Sequence, residues 1–446
     1  MAPLLTFYGD DFTGSSAVME ILAFAGVPTV MCLDVPSPAL LARLGNVRAI
    51  GIAGIARSKD PAWMAAELPR FFAALAALGA PILHYKTCST FDSAPHLGSI
   101  GTAIEIGLAV TGAAWAPLVV GAPAIGRYQM FGTLFAAFDG TVHRLDRHPV
   151  MARHPATPMD EADLCRHLDA QTGLAKAVVD WRTLTAGQGA SAVAAARGAG
   201  ARIIALDVFD AATLAATGAV IAAAAAQEPV FAVGSQGVEY ALVAHWRDAG
   251  LLPPAGPLLP VRPAAPVLVV SGSCSEITAR QIAAAEAAGF AVVALDARAA
   301  LSEAEWAKEL ERVWREVAPQ LAAGRSVVAA TARGPDDPAI AAFGAWLAGG
   351  DAAPVHARIG AGLGTLVRRA RGEAGLIRAV FSGGDTSGHA MLAVGAEALS
   401  PLTSLAAGVP LMTVRSLDPV IDGMEVALKG GQMGDAALFV RARDGG

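Results

Sequence analysis

Short apolar runs alternate with longer amphipathic ones from the start of the chain: LLTFYG (4–9), then SSAVMEILAFAG (15–26), then PTVMCLD (28–34). The pattern recurs with VRAIGIAG, AWMAAELPRFFAALAALG and PILHYKT, and APLVVGAP at 116–123 continues it. Strands separated by helices of ten or more residues predict right-handed βαβ units and a mostly parallel sheet. The alternation stops at LLPPAGPLLPVRPAAP (251–266), where six prolines in sixteen residues exclude a helix or a central strand. It restarts with VLVVSG, a helix from about 276 to 288, and FAVVALD, followed by SVVAATA and IRAVFSGGDT. The reading is an α/β protein of two domains, 1–250 and 267–446, each a mostly parallel sheet with flanking helices, joined by a Pro-rich linker at 251–266.

Composition narrows the function classes. With 446 residues, 54% hydrophobic and 16% charged, the chain has ample material for two cores. Its longest apolar stretch, the alanine-rich 211–226, is too short for a membrane span and reads as a helix. The N-terminus reaches acid by residue 10 and lacks a basic start, so no secretory leader is expected. A net charge of −6 without a Lys/Arg block argues against nucleic acid as a partner. Cys32, Cys88, Cys165 and Cys274 are scattered, and His143, His148, His154 and His167 match no ligand spacing, so neither a disulfide framework nor a zinc site is expected. A cytoplasmic protein is the expectation, with no membrane partner.

Ligands of open α/β sheets bind at the carboxyl ends of the strands, so polar strand tips are the candidate sites. The first tip, YGDDFTG, places Asp10 and Asp11 side by side, and a helix cap needs only one of them. Paired carboxylates there can accept hydrogen bonds from a polyol, and one can take a hydroxyl proton. GIARS brings Arg57; HYKTCSTFDS brings Lys86, Ser89, Thr90 and Asp92; GAPAIGRYQMFG brings Arg127. Cations among hydroxyls suit an anionic, hydroxylated ligand.

The second domain carries different chemistry. VVSGSCS (269–275) holds Ser271 and Ser273, RIGAGLGT (358–365) holds Gly360, Gly362 and Gly364, VFSGGDTSGHA (380–390) holds Gly383, Gly384, Asp385 and Thr386, and LKGGQMGD (428–435) holds Gly430. Read as four small-residue loops, they let backbone N–H groups approach an anion, which favours a nucleotide site. No GxxxxGK[ST] is present, so the chain is no P-loop NTPase, and no full GxGxxG follows the first strand of either domain.

GDDFTGS, KTCST, SGSCS, FSGGDTSG and LKGGQMGD, in that order, resemble the four-carbon acid sugar kinase family over the whole chain. The chain departs from the family pattern at Asp385, where Glu is frequent, at Gly431, where Ser is usual, and after Thr90, where Arg-Gly often follows. The resemblance implies a sugar-acid-binding N-terminal domain, an ATP-binding C-terminal domain and phosphorylation of a sugar-acid hydroxyl. Family activities include kinases for threonate, erythronate, 3-oxo-tetronates and 3-oxo-isoapionate.

The expected roles follow. Arg57 and Lys86 meet the substrate carboxylate; Asp10 and Asp11 meet its hydroxyls, and either is the general base. Ser89, Thr90, Asp92 and Arg127 complete the substrate site. Ser271, Ser273, the 360–364 loop, residues 383–386 and Gly430 hold ATP. Mg²⁺ is expected with ATP, bound largely by phosphates and water and aided by Asp385. The partners are therefore a sugar acid and ATP, and the oligomeric state is open to a homo-oligomer. The rival readings are a non-catalytic sensor or effector of sugar acid and nucleotide, and a dehydrogenase, which the missing dinucleotide fingerprint disfavours.

Overall fold

The structure, a computed structural model, describes residues 2–253, 256, 258–340, 343, 352–383 and 387–445. The chain forms two compact units, one of residues 1–35 and 45–256, the other of residues 36–44 and 257–446. The excursion of 36–44 departs from the continuous first domain that the sequence implies. It packs with the second unit, where Arg43 donates to the Ser416 carbonyl at 3.0 Å and to Asp422 at 2.8 Å.

In the first unit the strands are β1 (Leu5–Gly9), β2 (Thr29–Cys32), β3 (Ala49–Ala53), β4 (Ile82–Lys86), β5 (Ala116–Val119), β9 (Lys176–Val179), β10 (Ile203–Leu206) and β11 (Val230–Gly234). They run β2-β3-β1-β4-β11-β5-β10-β9, all parallel. Between β5 and β9 lies a separate antiparallel sheet of β6 (Arg127–Met130), β7 (Thr133–Phe138) and β8 (Thr141–Arg144), which the sequence reading did not anticipate.

The central strands are buried on both faces, which is why they read as unbroken apolar runs. Phe7, Tyr8, Phe72, Tyr85 and Phe231 are fully buried. Tyr8 stacks on Tyr85 with ring centroids 6.0 Å apart, and Phe72 meets Tyr85 edge-on at 5.9 Å. Each such ring stabilises the fold by about 1.5–3 kcal/mol, so β1 and β4 are pinned where their tips must be exact.

The connection after β1 runs toward β2 and that after β4 toward β5, in opposite directions along the sheet, so the crevice between these adjacent strands is a topological switch point. The register pairs Gly9 with Lys86 and with Ala53, and Lys86 with Gly234.

In the second unit β12 (Val267–Ser271), β13 (Ala291–Ala294), β14 (Val327–Ala330), β15 (Arg378–Ser382) and β18 (Glu425–Lys429) are parallel, while β17 (Val409–Arg415) and β16 (Ala398–Ala406) add an antiparallel edge, in the order β13-β14-β12-β15-β18-β17-β16. Both units are thus mostly parallel α/β sheets. One expectation fails here. Residues 358–365 are not a loop but the interior of the helix Ala353–Ala374. Their small size serves packing: a Cβ on Gly362 would lie 2.4 Å from the Trp306 indole nitrogen, and one on Gly364 2.2 Å from the Ala390 carbonyl oxygen. Among the described residues no helix is long and apolar enough to cross a membrane.

Candidate active site

Main-chain bonds lace the tips of β1, β3 and β4 beyond the strands themselves. The Asp10 amide donates to the Lys86 carbonyl at 2.9 Å, the Arg57 amide to the Asp10 carbonyl at 3.0 Å, and the Thr87 amide to the Gly234 carbonyl at 2.7 Å. Asp10, Arg57 and Lys86 are therefore brought together by backbone pairing before any side chain acts.

Asp11 caps the helix Phe12–Phe24, its side chain accepting from the Gly14 amide at 2.8 Å. Asp10 takes no part in that cap. Its carboxylate faces Arg57, which donates to Asp10 through Nη2 at 2.6 Å and Nε at 3.2 Å, and to Asp11 through Nη2 at 2.8 Å and Nη1 at 3.0 Å. One guanidinium thus spans two adjacent carboxylates that would otherwise repel each other. The Asp10 side chain is 4% exposed and that of Asp11 30%. Burial raises the Asp10 pKa above its ordinary value, with Arg57 opposing. The sequence reading gave Arg57 to a ligand carboxylate; its donors are instead directed at Asp10 and Asp11.

Lys86 is 1% exposed, and its ammonium donates to the Thr87 carbonyl. Gly14 is the meeting point of the charged groups. A Cβ there would lie 2.4 Å from Asp11 Oδ1, 3.1 Å from Lys86 Nζ and 3.6 Å from Arg57 Nη2, so glycine leaves that space clear. Beyond Lys86 the loop folds on itself: Cys88 Sγ lies 3.0 Å from Thr90 Oγ1, which donates to Asp92 at 2.7 Å. Burial would raise the Asp92 pKa, but hydrogen bonds from Cys88 and Thr90 outweigh it and hold the carboxylate below its ordinary value. Phe91, fully buried at φ +56°, bends the loop, and Ser93 is tied to His167 at 2.9 Å and to Gln171 at 2.9 Å. Ser89 has no side-chain hydrogen bond among the described residues.

Arg127 opens β6. Two residues on, the fully buried Gln129 fixes that strand by donating to the Leu118 and Leu206 carbonyls and accepting from the Val120 amide. Arg127 Nη1 reaches three carbonyls at 3.2–3.4 Å, whereas its Nε is buried without a hydrogen-bond partner among the described residues. Burial lowers its pKa and the Cys88 thiol opposes that shift. No carboxylate pairs with it among the described residues.

Two groups escaped the sequence reading. His84 and Glu239 form a fully buried pair at 2.6 Å, with the other ring nitrogen of His84 3.2 Å from the Gly234 carbonyl, beneath the same tips. Only their separation in sequence hid them. In the second unit Lys429, at the end of β18, donates to Thr278, Ser382 and the Gly431 carbonyl, with Ser273 and Ser275 bonded to Thr278, and the tips of β12, β15 and β18 are linked by Gly272 N to Ser382 O at 2.9 Å and Gly383 N to Lys429 O at 3.0 Å. Ser271, Ser273, Gly383 and Gly430 fall at these tips. Gly360, Gly362 and Gly364 do not serve as a loop, because helix-interior amides are already committed to i−4 carbonyls. Gly384, Asp385 and Thr386 lie outside the described residues. Among the described residues no group of three His, Cys, Asp or Glu could hold a metal ion, whereas the cluster of hydroxyls, bare backbone and one ammonium suits phosphates, which carry their own cation.

A hydroxyl-accepting, cation-bearing tip in one unit and a hydroxyl- and glycine-lined tip in the other define a two-domain sugar- and nucleotide-binding protein. Family models agree: a sugar-binding N-terminal domain matches residues 5–242 and a nucleotide-binding C-terminal domain residues 268–439. The chain is 47% identical over 444 residues to the 3-oxo-isoapionate kinase of Paraburkholderia graminis, covering 99% of this chain and 94% of that protein. It is 32% identical to the 3-oxo-tetronate kinase of Methylobacterium radiotolerans, covering 100% and 99%. A crystal structure of a Salmonella typhimurium protein described as a putative tRNA synthase superposes with a TM-score of 0.79 at 25% identity, covering 98% of each chain. The chain belongs to the four-carbon acid sugar kinase family, and is an ATP-dependent sugar-acid kinase.

Proposed function

We propose that this kinase phosphorylates a hydroxyl of a branched or four-carbon 3-oxo sugar acid, with 3-oxo-isoapionate as the leading candidate. The convergence of Asp10, Asp11, Arg57 and Lys86 at the β1–β4 switch point carries the reading, and the 47% full-length identity to a 3-oxo-isoapionate kinase supports the choice of acid. Asp11 is the carboxylate with access to a ligand, so it accepts the hydroxyl and takes its proton, because a base must first touch the group it deprotonates. Asp10, behind it, anchors Arg57. Lys86 and the uncommitted Nε of Arg127 receive the substrate carboxylate, and Ser89, Thr90 and Asp92 its other hydroxyls.

In the transfer the acceptor oxygen attacks the γ-phosphorus of ATP, the bond to the bridging oxygen breaks, ADP leaves, and the hydroxyl proton passes to Asp11. Mg²⁺ arriving with ATP would be held mainly by the phosphates, with Asp385 as a candidate protein contact, and would supply neutralisation of the charge on the transferred group. Coupled ADP release across a panel of C4 and branched sugar acids, with ³¹P NMR of the product, tests the reading. Turnover of 3-oxo-isoapionate or a 3-oxo-tetronate supports it. Nucleotide binding without ADP release on any acid contradicts it and favours a sensor.

A further inference from the structure

Lys429 is 1% exposed at the end of β18. Its ammonium donates to Thr278 Oγ1 at 2.9 Å, Ser382 Oγ at 3.1 Å and the Gly431 carbonyl at 3.3 Å. All three acceptors are neutral, and no carboxylate pairs with Lys429 among the described residues. A buried charge is ordinarily held by an opposite one. The Phe439 ring lies 5.9 Å from the ammonium and brings no formal charge, and Thr278 sits in the first turn of the helix Glu276–Ala287, whose N-terminal amides are partially positive. Burial brings the Lys429 pKa down to about 8, the response of an ammonium without a countercharge.

Hydroxyls and bare backbone crowd the neighbourhood of this ammonium. Ser273 and Ser275 hydroxyls each lie 3.0 Å from Thr278 Oγ1. A Cβ at Gly431 would lie 3.0 Å from Ser273 Oγ, so bare backbone there leaves that hydroxyl in place.

We propose that Lys429 is the countercharge of the nucleotide's terminal phosphates, which bind at the tips of β12, β15 and β18 against its ammonium, the Ser273 and Ser275 hydroxyls and the first-turn amides of Glu276–Ala287. The inference rests on the kinase reading, which supplies the nucleotide. As the bond to the γ-phosphate breaks, negative charge grows on the departing ADP, and a fixed ammonium beside it stabilises that charge without reorganisation.

Calorimetric titration with MgADP and with adenosine, on wild type and Lys429→Met, is the test. The variant should lose about tenfold or more in ADP affinity, the value of a charge-assisted hydrogen bond, and bind adenosine as wild type does. A folded Lys429→Met that binds ADP like wild type overturns the inference and leaves the kinase reading intact. Wild type that binds no nucleotide contradicts the kinase reading itself, and this inference with it. Should the variant not fold, wild type alone decides: in buffers of different ionisation enthalpy at about pH 8.5, ADP binding should take up protons as Lys429 regains its charge, and zero uptake overturns the assignment.

Discussion

Arg57 grips Asp10 with two prongs, Nη2 on Oδ1 at 2.6 Å and Nε on Oδ2 at 3.2 Å. The same guanidinium holds Asp11, so adjacent carboxylates that would repel each other act as one anchored group. Removing the guanidinium leaves Asp10 buried and unpaired. Arg57→Ala should therefore destabilise the protein by about 3–5 kcal/mol in chemical denaturation, the cost of breaking a buried pair. The double variant Asp10→Asn/Arg57→Ala should recover part of that loss. Strict additivity of the two single changes would show that the pair is not coupled.

The two aspartates should separate kinetically. Asp11→Asn removes the proton acceptor and should lower kcat by about 10²–10⁴-fold with a small change in KM. Asp10→Asn should mainly lower stability, with a smaller kcat loss as the displaced Arg57 releases its hold on Asp11. Equal kcat losses in both variants, with KM unchanged in each, would argue against the division of roles.

Lys429 carries a pH signature in the nucleotide-free protein. Its folded pKa of about 8 lies below the ordinary 10.5, so between these values the unfolded chain holds a proton that the folded chain has lost. Stability contributed through this group is lowest below pH 8 and rises toward 10.5. Denaturant midpoints of wild type should rise relative to those of Lys429→Met across the lower part of this window, and saturating ADP should remove the difference. Parallel curves for the two proteins would refute the assignment of charge.

Gly362 and Gly364 test packing against ligand binding. Gly364→Ala drives a methyl onto the Ala390 backbone and should cost about 1–3 kcal/mol of stability, while ADP affinity of the folded protein stays at the wild-type value. Loss of ADP binding in a fully folded variant would return these glycines to the nucleotide site.

The parallel sheets were legible because strands buried on both faces must be unbroken apolar runs, as LLTFYG and VLVVSG are. The clustering of Asp10 and Lys86 was legible for a related reason: polar residues at the ends of such runs gather at one edge of a parallel sheet. What those residues do to each other was not legible. Arg57 lies 47 positions from Asp10, and nothing local says whether it faces a ligand or two aspartates. The glycines at 360, 362 and 364 read as a loop because glycine weakens helices, yet in Ala353–Ala374 close contact with Trp306 and Ala390 outweighs that cost. Lys429 was not singled out in the sequence, since its contacts with Thr278 and Ser382 come from elements far away in the chain. The packing of 36–44 with the second unit likewise rests on Arg43 contacts more than 370 residues distant.

The central claim is that the β1–β4 tip presents Asp11 to a sugar-acid hydroxyl for phosphorylation by ATP. The most direct measurement is steady-state ADP release with 3-oxo-isoapionate by wild type and by Asp11→Asn, with ADP binding of both proteins recorded alongside. The account predicts turnover by wild type and a loss of about 10²-fold or more in kcat for the variant, with nucleotide binding preserved. Undiminished turnover by Asp11→Asn would contradict it.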